Sequence, residues 1–191
     1  MASPKILVFA GSTRTGALSG KLAALAAKEL ALADGEVTRI SLADYPLPIY
    51  NGDLEEEKGI PENAVKLARL IAAQQGVFIA TPEYNNSLPP LLKNAIDWVS
   101  RNKGGADGIP FRHKVFGIGS TSDGLIGGAR ALIDLRRVVQ TGLGAILIPE
   151  KIEISRAQEA FDESGALVAE GPAKLLRTLC RHLVDLSRRL A

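Results

Sequence analysis

The chain has 191 residues, of which 46% are apolar and 23% charged, and a net charge of +2. This is the balance of a soluble globular protein of one domain with a real core, and the near-neutral charge gives a nucleic-acid partner no electrostatic support. A single cysteine (Cys180) excludes an internal disulfide, His113 and His182 lie too far apart to suggest a metal, and no apolar run approaches the ~20 residues of a membrane span.

The start, Met-Ala-Ser-Pro-Lys, lacks the layout of a signal peptide, so the cytoplasm is the expected location. Residues 5–10 are an apolar run of strand length, followed by Gly11-Ser12-Thr13-Arg14-Thr15-Gly16-Ala17-Leu18-Ser19. Leu18, Leu22, Leu25, Ala26 and Leu30 then mark a helix that ends near Asp34-Gly35. A second short strand spans 36–41, and the acidic run 53–57 reads as solvated surface. Pro61 opens a helix with Ala64, Leu67, Ala68 and Ile71 on its apolar face.

Residues 76–80 form a third strand. It turns through Thr81-Pro82-Glu83-Tyr84-Asn85-Asn86 into a helix carrying Leu88, Leu91, Leu92, Ala95, Ile96 and Val99, for which Ser87 is the expected N-cap. A long polar connection, 101–114, precedes a fourth strand at 115–119. Ser120-Thr121-Ser122-Asp123-Gly124 and Gly127-Gly128 then lead to a helix with Leu132, Leu135 and Val139. Residues 145–148 make a fifth strand, 151–164 a hairpin or extended excursion, and Gly171-Pro172 opens a last leucine-rich helix.

Five apolar strands alternating with helices imply a parallel sheet covered on both faces, a doubly wound α/β domain over residues 1–191. The loops after the first, third and fourth strands (11–19, 81–87 and 120–128) then surround one crevice at the switch point of the sheet. The first loop is suited to phosphate. It leads into a helix N-terminus, with hydroxyls from Ser12, Thr13, Thr15 and Ser19 and the guanidinium of Arg14. A triphosphatase reading fails, because Ala17 and Leu18 stand where the Walker motif needs Lys and Ser or Thr. There is no G-x-G-x-x-G either, so a single phosphomonoester fits best. The other two loops offer glycine, amide and hydroxyl groups to a flat heteroaromatic ring; flavin mononucleotide combines those two parts.

The segments Gly11-Ser12-Thr13-Arg14 and Pro82-Glu83-Tyr84-Asn85, with Ser87-Leu88-Pro89-Pro90-Leu91-Leu92-Lys93-Asn94-Ala95-Ile96-Asp97-Trp98, resemble the NADPH-dependent FMN reductase family, the flavodoxin-like group that includes quinone, chromate and azo-dye reductases. Gly124, Gly127-Gly128 and Arg130 resemble its later glycine-rich segment, and the likeness covers about residues 5 to 150. It implies a three-layer α/β/α fold with strand order 2-1-3-4-5. It also implies FMN phosphate held by Ser12, Arg14 and Ser19 with the backbone amides of Ala17 and Leu18. Pro82, Glu83, Tyr84 and Asn85 would line the flavin ring, with Ser122 and Gly124 approaching from the third loop.

The chain departs from the family where a serine is common (here Ala17), where an asparagine is common (here Ser19), and where a proline is often found (here Asp123). The resemblance further implies NADPH or NADH as co-substrate and two-electron ping-pong transfer to a small acceptor: a quinone, free flavin, chromate or an azo compound. No side chain is assigned as obligatory acid or base. A homodimer or homotetramer is implied, with Arg130 and Glu150 as candidate intersubunit contacts. Two alternatives remain: a flavodoxin-type electron carrier, against which the charge of +2 argues, and a non-enzymatic ligand-binding protein of the same fold.

Overall fold

The computed structural model describes residues 2–103 and 109–190. The five apolar runs become β1 (Lys5–Ala10), β2 (Glu36–Arg39), β3 (Gly76–Pro82), β4 (Val115–Thr121) and β5 (Ile146–Ile154). They pair in parallel in the order β2-β1-β3-β4-β5. The helices are α1 (Leu18–Leu32), α2 (Gly52–Lys58), α3 (Glu62–Ala72), α4 (Pro90–Ser100), α5 (Ala129–Arg137) and α6 (Glu170–Arg189).

Alternate strand residues face opposite layers, so the central strands read as unbroken apolar runs. Leu7, Phe9, Val77, Ile79, Phe116 and Ile118 pack with side chains of α3, α4 and α5. Ile6, Val8, Phe78, Ala80 and Val115 pack with those of α1 and α6. Cys180 lies in that second layer, where burial pushes its thiol up from the ordinary value.

The register brings three strand ends together. Ala10 pairs with Ala80, Pro82 pairs with Thr121, and the Gly11 amide donates to the Ala80 carbonyl at 2.8 Å. A Cβ on Gly11 would sit 3.1 Å from Leu92 Cδ2, so glycine lets the first loop pass close over α4.

Several sequence expectations shift. The acidic run 53–57 lies on the surface but within α2, capped by Asn51 Oδ1 accepting from the Asp53 amide. Ser87 does not cap α4; that helix starts at Pro90 behind Pro89, because Ser87 is held in the preceding turn. β5 runs on to Ile154 instead of ending at 148. It is an edge strand, where Pro149 is tolerated, and a register shift opposite Phe116–Ile118 absorbs the irregularity. The excursion is therefore shorter, with a single antiparallel bridge between Phe161 and Leu167. A π-helical stretch, Val138–Gly142, extends α5. In the connection 101–114, residues 104–108 lie outside the described residues, while Phe111 is buried in the core.

Candidate functional site

The first loop ends at a helix whose N-terminus has no side-chain cap. Ala17, at the cap position of α1, has no side chain to pair the first-turn amides, and the first turn contains no acidic residue. The turn before it is closed by the Ala17 amide on the Arg14 carbonyl at 3.0 Å and the Arg14 amide on Ser12 Oγ at 3.3 Å. Ser19, one residue into α1, is buried, and its Oγ has no hydrogen-bond partner. An unpaired buried hydroxyl is costly, and beside an uncompensated positive helix end it marks a place for an anionic group.

The second loop is a two-residue hairpin. The Tyr84 amide donates to the Ser87 carbonyl at 3.1 Å, and the Ser87 amide donates to the Tyr84 carbonyl at 3.0 Å. Asn85 (φ 48°) and Asn86 (φ 64°) occupy the tip, the two left-handed positions of a type I′ turn, which asparagine tolerates. Glu83, at its base, turns its carboxylate away from the loop tip. Glu83 Oε2 accepts from the Arg130 amide at 3.0 Å and the Ala131 amide at 3.1 Å, capping α5.

The third loop is fixed from the far side. The Ser122 amide donates to the Ile154 carbonyl at 3.0 Å, and the Ala157 amide donates to the Ser122 carbonyl at 3.2 Å. Asp123 accepts from the backbone and side-chain nitrogens of Gln158 at 3.1 and 2.9 Å. Ser120 Oγ donates to the Gly127 carbonyl at 2.6 Å.

These three loops enclose an open cavity of about 290 Å³. Its wall contains Ser12, Arg14, Ala17, Leu18 and Ser19 from the first loop, Pro82, Glu83 and Tyr84 from the second, and Ser122 and Gly124 from the third. Thr121 and Asp123 also line it; neither is among the expected cofactor contacts, and Asp123 is the residue that departs from the family's third-loop proline. Asn85 is not in the wall; it is exposed at the hairpin tip. Another hollow, of about 250 Å³, lies at the N-terminus of α6, but Glu153 and Glu159 line it and Glu170 occupies the first helical turn, so its chemistry is wrong for phosphate.

The donor set fits FMN at both ends. The bare α1 terminus with Ser12, Ser19 and Arg14 suits a phosphomonoester, and the slot between the second and third loops suits a planar ring. The second half of the 81–98 segment does different work. Asn94 Oδ1 accepts from the Tyr50 amide at 2.8 Å, and Asn94 Nδ2 and Trp98 Nε1 donate to the Pro48 carbonyl at 2.9 and 2.8 Å. These bonds seat the 48–50 loop on α4. Arg130 and Glu150 have partners within the chain. Arg130 Nη1 donates to Asn86 Oδ1 at 3.1 Å, and Glu150 Oε1 pairs with His182 Nδ1 at 2.6 Å.

Comparison with known proteins gives the chain a family and relatives of the same fold. Residues 4–159 match the family described as NADPH-dependent FMN reductase. The chain is 40% identical over 136 residues to a quinone reductase of Escherichia coli K12, covering 71% of this chain and 69% of that protein. It is 35% identical over 188 residues to an NAD(P)H-dependent FMN reductase of Pseudomonas aeruginosa, covering 97% and 96%. Among solved structures, a flavoenzyme NAD(P)H:(acceptor) oxidoreductase from Paracoccus denitrificans superimposes with a TM-score of 0.76 at 30% identity, covering 97% of this chain and 98% of that one. The flavodoxin-like chain described here thus belongs to the NADPH-dependent FMN reductase family, oxidoreductases that work with FMN and NAD(P)H.

Proposed function

We propose that the protein binds FMN in the three-loop cavity and uses it to pass two electrons from NADPH or NADH to a small acceptor. The observation that carries this reading is the uncapped α1 N-terminus, with the unpartnered, buried Ser19 hydroxyl, opening into the same cavity as the Tyr84 and Ser122 walls. Ser12, Arg14, Ser19 and the first-turn amide of Leu18 would hold the phosphate, while the Ala17 amide is committed to the Arg14 carbonyl and Ala17 only lines the wall. Pro82, Glu83, Tyr84, Ser122 and Gly124 would flank the ring, with Asn85 at the rim.

Bound FMN supplies hydride acceptance and two-electron donation; the chain supplies binding, orientation and electrostatics. Tyr84 is 45% exposed, so its ring forms a wall at the mouth rather than a plug. The cavity is open on one side, and NAD(P)H and the acceptor would take turns there, which gives ping-pong kinetics. Amides of the second loop would stabilise negative charge developing on the ring edge that faces them.

Quinones are the favoured acceptor class, on the strength of the relatives named quinone reductase. Free flavin, chromate and azo compounds are tested beside them. Exposed Leu125, Ile126 and Ile133, on the third loop and α5, support self-association as a homodimer or homotetramer. No described helix is long and apolar enough to cross a membrane, and we place the protein in the cytoplasm as one domain over 1–191.

The deciding experiment is the visible spectrum of the purified protein with FMN, before and after anaerobic addition of NADPH. Bleaching of bound flavin, recovered on adding a quinone, is the expected result. Binding without bleaching would move the assignment to an electron carrier served by a protein partner. No uptake of FMN would overturn the site.

A further inference from the structure

We infer that Glu83 is a positioning residue: its carboxylate mounts the Tyr84–Ser87 hairpin on the N-terminus of α5, and this clamp, rather than any contact of the carboxylate with ligand, sets the ring-side wall of the cavity. The inference rests on the flavin reading above. Three attachments converge on one helix. Glu83 Oε2 accepts from two amides of the first turn of α5, at 3.0 and 3.1 Å. Arg130 Nη1, from the same turn, donates to Asn86 Oδ1 at 3.1 Å. One turn further on, Ser87 Oγ donates to Asp134 Oδ2 at 2.5 Å. Base, tip and closing residue of the hairpin are each held by α5.

The clamp has a physical reason to exist. α5 begins behind Gly128, which has φ 84° and no side chain to cap the helix. A Cβ there would come within 2.9 Å of Ser120 Cβ, so the usual capping residues are excluded at that position. The cap must come from elsewhere in the chain, and Glu83 supplies it with a charge of the right sign for a helix N-terminus. The hairpin needs the support in turn. A two-residue turn with both central residues left-handed and only one pair of cross-strand bonds is marginal by itself. Each element completes the other, and Tyr84 stands at the junction.

This separates two roles that the 81–87 loop would otherwise merge. Glu83 lines the cavity, while its Oε2 is committed to α5. At α1, by contrast, no carboxylate occupies the helix terminus. Of the two helix N-termini that follow the first and third loops, that of α5 is capped by Glu83 and that of α1 has no side-chain cap.

The test compares E83A, E83Q and N51A. Asn51 caps α2 away from the cavity, so N51A matches the loss of a helix cap without touching the hairpin. FMN affinity is measured by flavin fluorescence at a temperature well below unfolding, and amide exchange of Tyr84 and Ser87 is measured without ligand. E83A is expected to weaken FMN binding about tenfold and to speed exchange of both amides by a similar factor. E83Q, whose amide oxygen still accepts from the helix, should recover most of both losses. N51A should leave both unchanged while lowering the melting temperature comparably. Wild-type affinity and protection in E83A, or equal losses in N51A, would overturn the inference. If the wild type takes up no FMN, the flavin reading falls, and the exchange data alone support or overturn the clamp.

Discussion

Ser19 gives the sharpest separation between what stabilises the fold and what serves the ligand. Its Oγ is buried and unpartnered in the free protein, a burden of about 1–3 kcal/mol on folding. Ser19→Ala removes that burden and places the better helix former inside α1, adding about 0.5 kcal/mol. The free protein should therefore gain about 1.5–3.5 kcal/mol, a rise in melting temperature of roughly 3–14 °C for a chain of this size. FMN binding should move the other way. Losing a hydroxyl donor to a phosphate oxygen costs about 1.5–3 kcal/mol, or roughly 10- to 150-fold in dissociation constant. Thermal unfolding of the FMN-free protein and a fluorescence titration read the two signs independently. A variant that is less stable and binds FMN like the wild type would show that the hydroxyl serves the fold, and the phosphate reading of the first loop would fail.

The glycines of the third loop give a second prediction. Gly127 has φ 60°, and a Cβ there would sit 2.8 Å from the Ser155 amide nitrogen, so Gly127→Ala should cost at least about 2 kcal/mol and loosen the seam to residue 155. Gly124 meets nothing nearer than 3.5 Å and serves as the tolerated control, with both read by thermal unfolding. A third concerns acid stability. The Arg101 guanidinium, bonded to Glu55 at 2.8 Å, and then the Tyr50 hydroxyl at 2.9 Å, hold the Glu55 carboxyl below its ordinary range. Its native pKa is depressed, so its contribution is present above the ordinary carboxylate value and is lost as pH falls through the lower native one. Glu55→Gln should flatten that part of the acid limb in a pH series of unfolding curves, and an unchanged limb would refute the assignment.

The layered sheet was legible because its signals are local: buried parallel strands need unbroken apolar runs, and Ile6–Val8, Val77–Ala80 and Val115–Ile118 supply them. The cavity was legible at one remove, since once the strand order follows, the loops after β1, β3 and β4 must meet. Partners distant in sequence were not legible. Ser87 has the composition of an N-cap, yet its hydroxyl goes to Asp134, 47 positions away. Glu83 has the composition of a ring contact, yet its carboxylate goes to amides 47 and 48 positions away. β5 hid its full length because Pro149 reads as a strand end, and only pairing with β4 shows that an edge strand carries it. The helical acidic run of α2 had no apolar face to reveal it, for none of its residues is buried.

The long-range bonds of the second and third loops bear on how the cavity is built. Two acidic residues that line the cavity also hold the scaffold: Glu83 on α5, and Asp123 on Gln158. On the proposed reading, a carboxylate left free in either place would put negative charge beside the anionic cofactor. Committed to backbone amides, the same charge is neutralised where it stands, and the loop gains a fixed position. On the phosphate side the arrangement reverses, with no acidic residue in the first turn of α1 and a hydroxyl left unsatisfied. The cavity is therefore polarised, with its acidic side chains tied into the protein at one end and an uncapped helix end with the unpartnered Ser19 hydroxyl at the other. On the proposed reading, an anion is favoured at the α1 end, and the planar part of FMN would lie towards the Tyr84 and Ser122 walls.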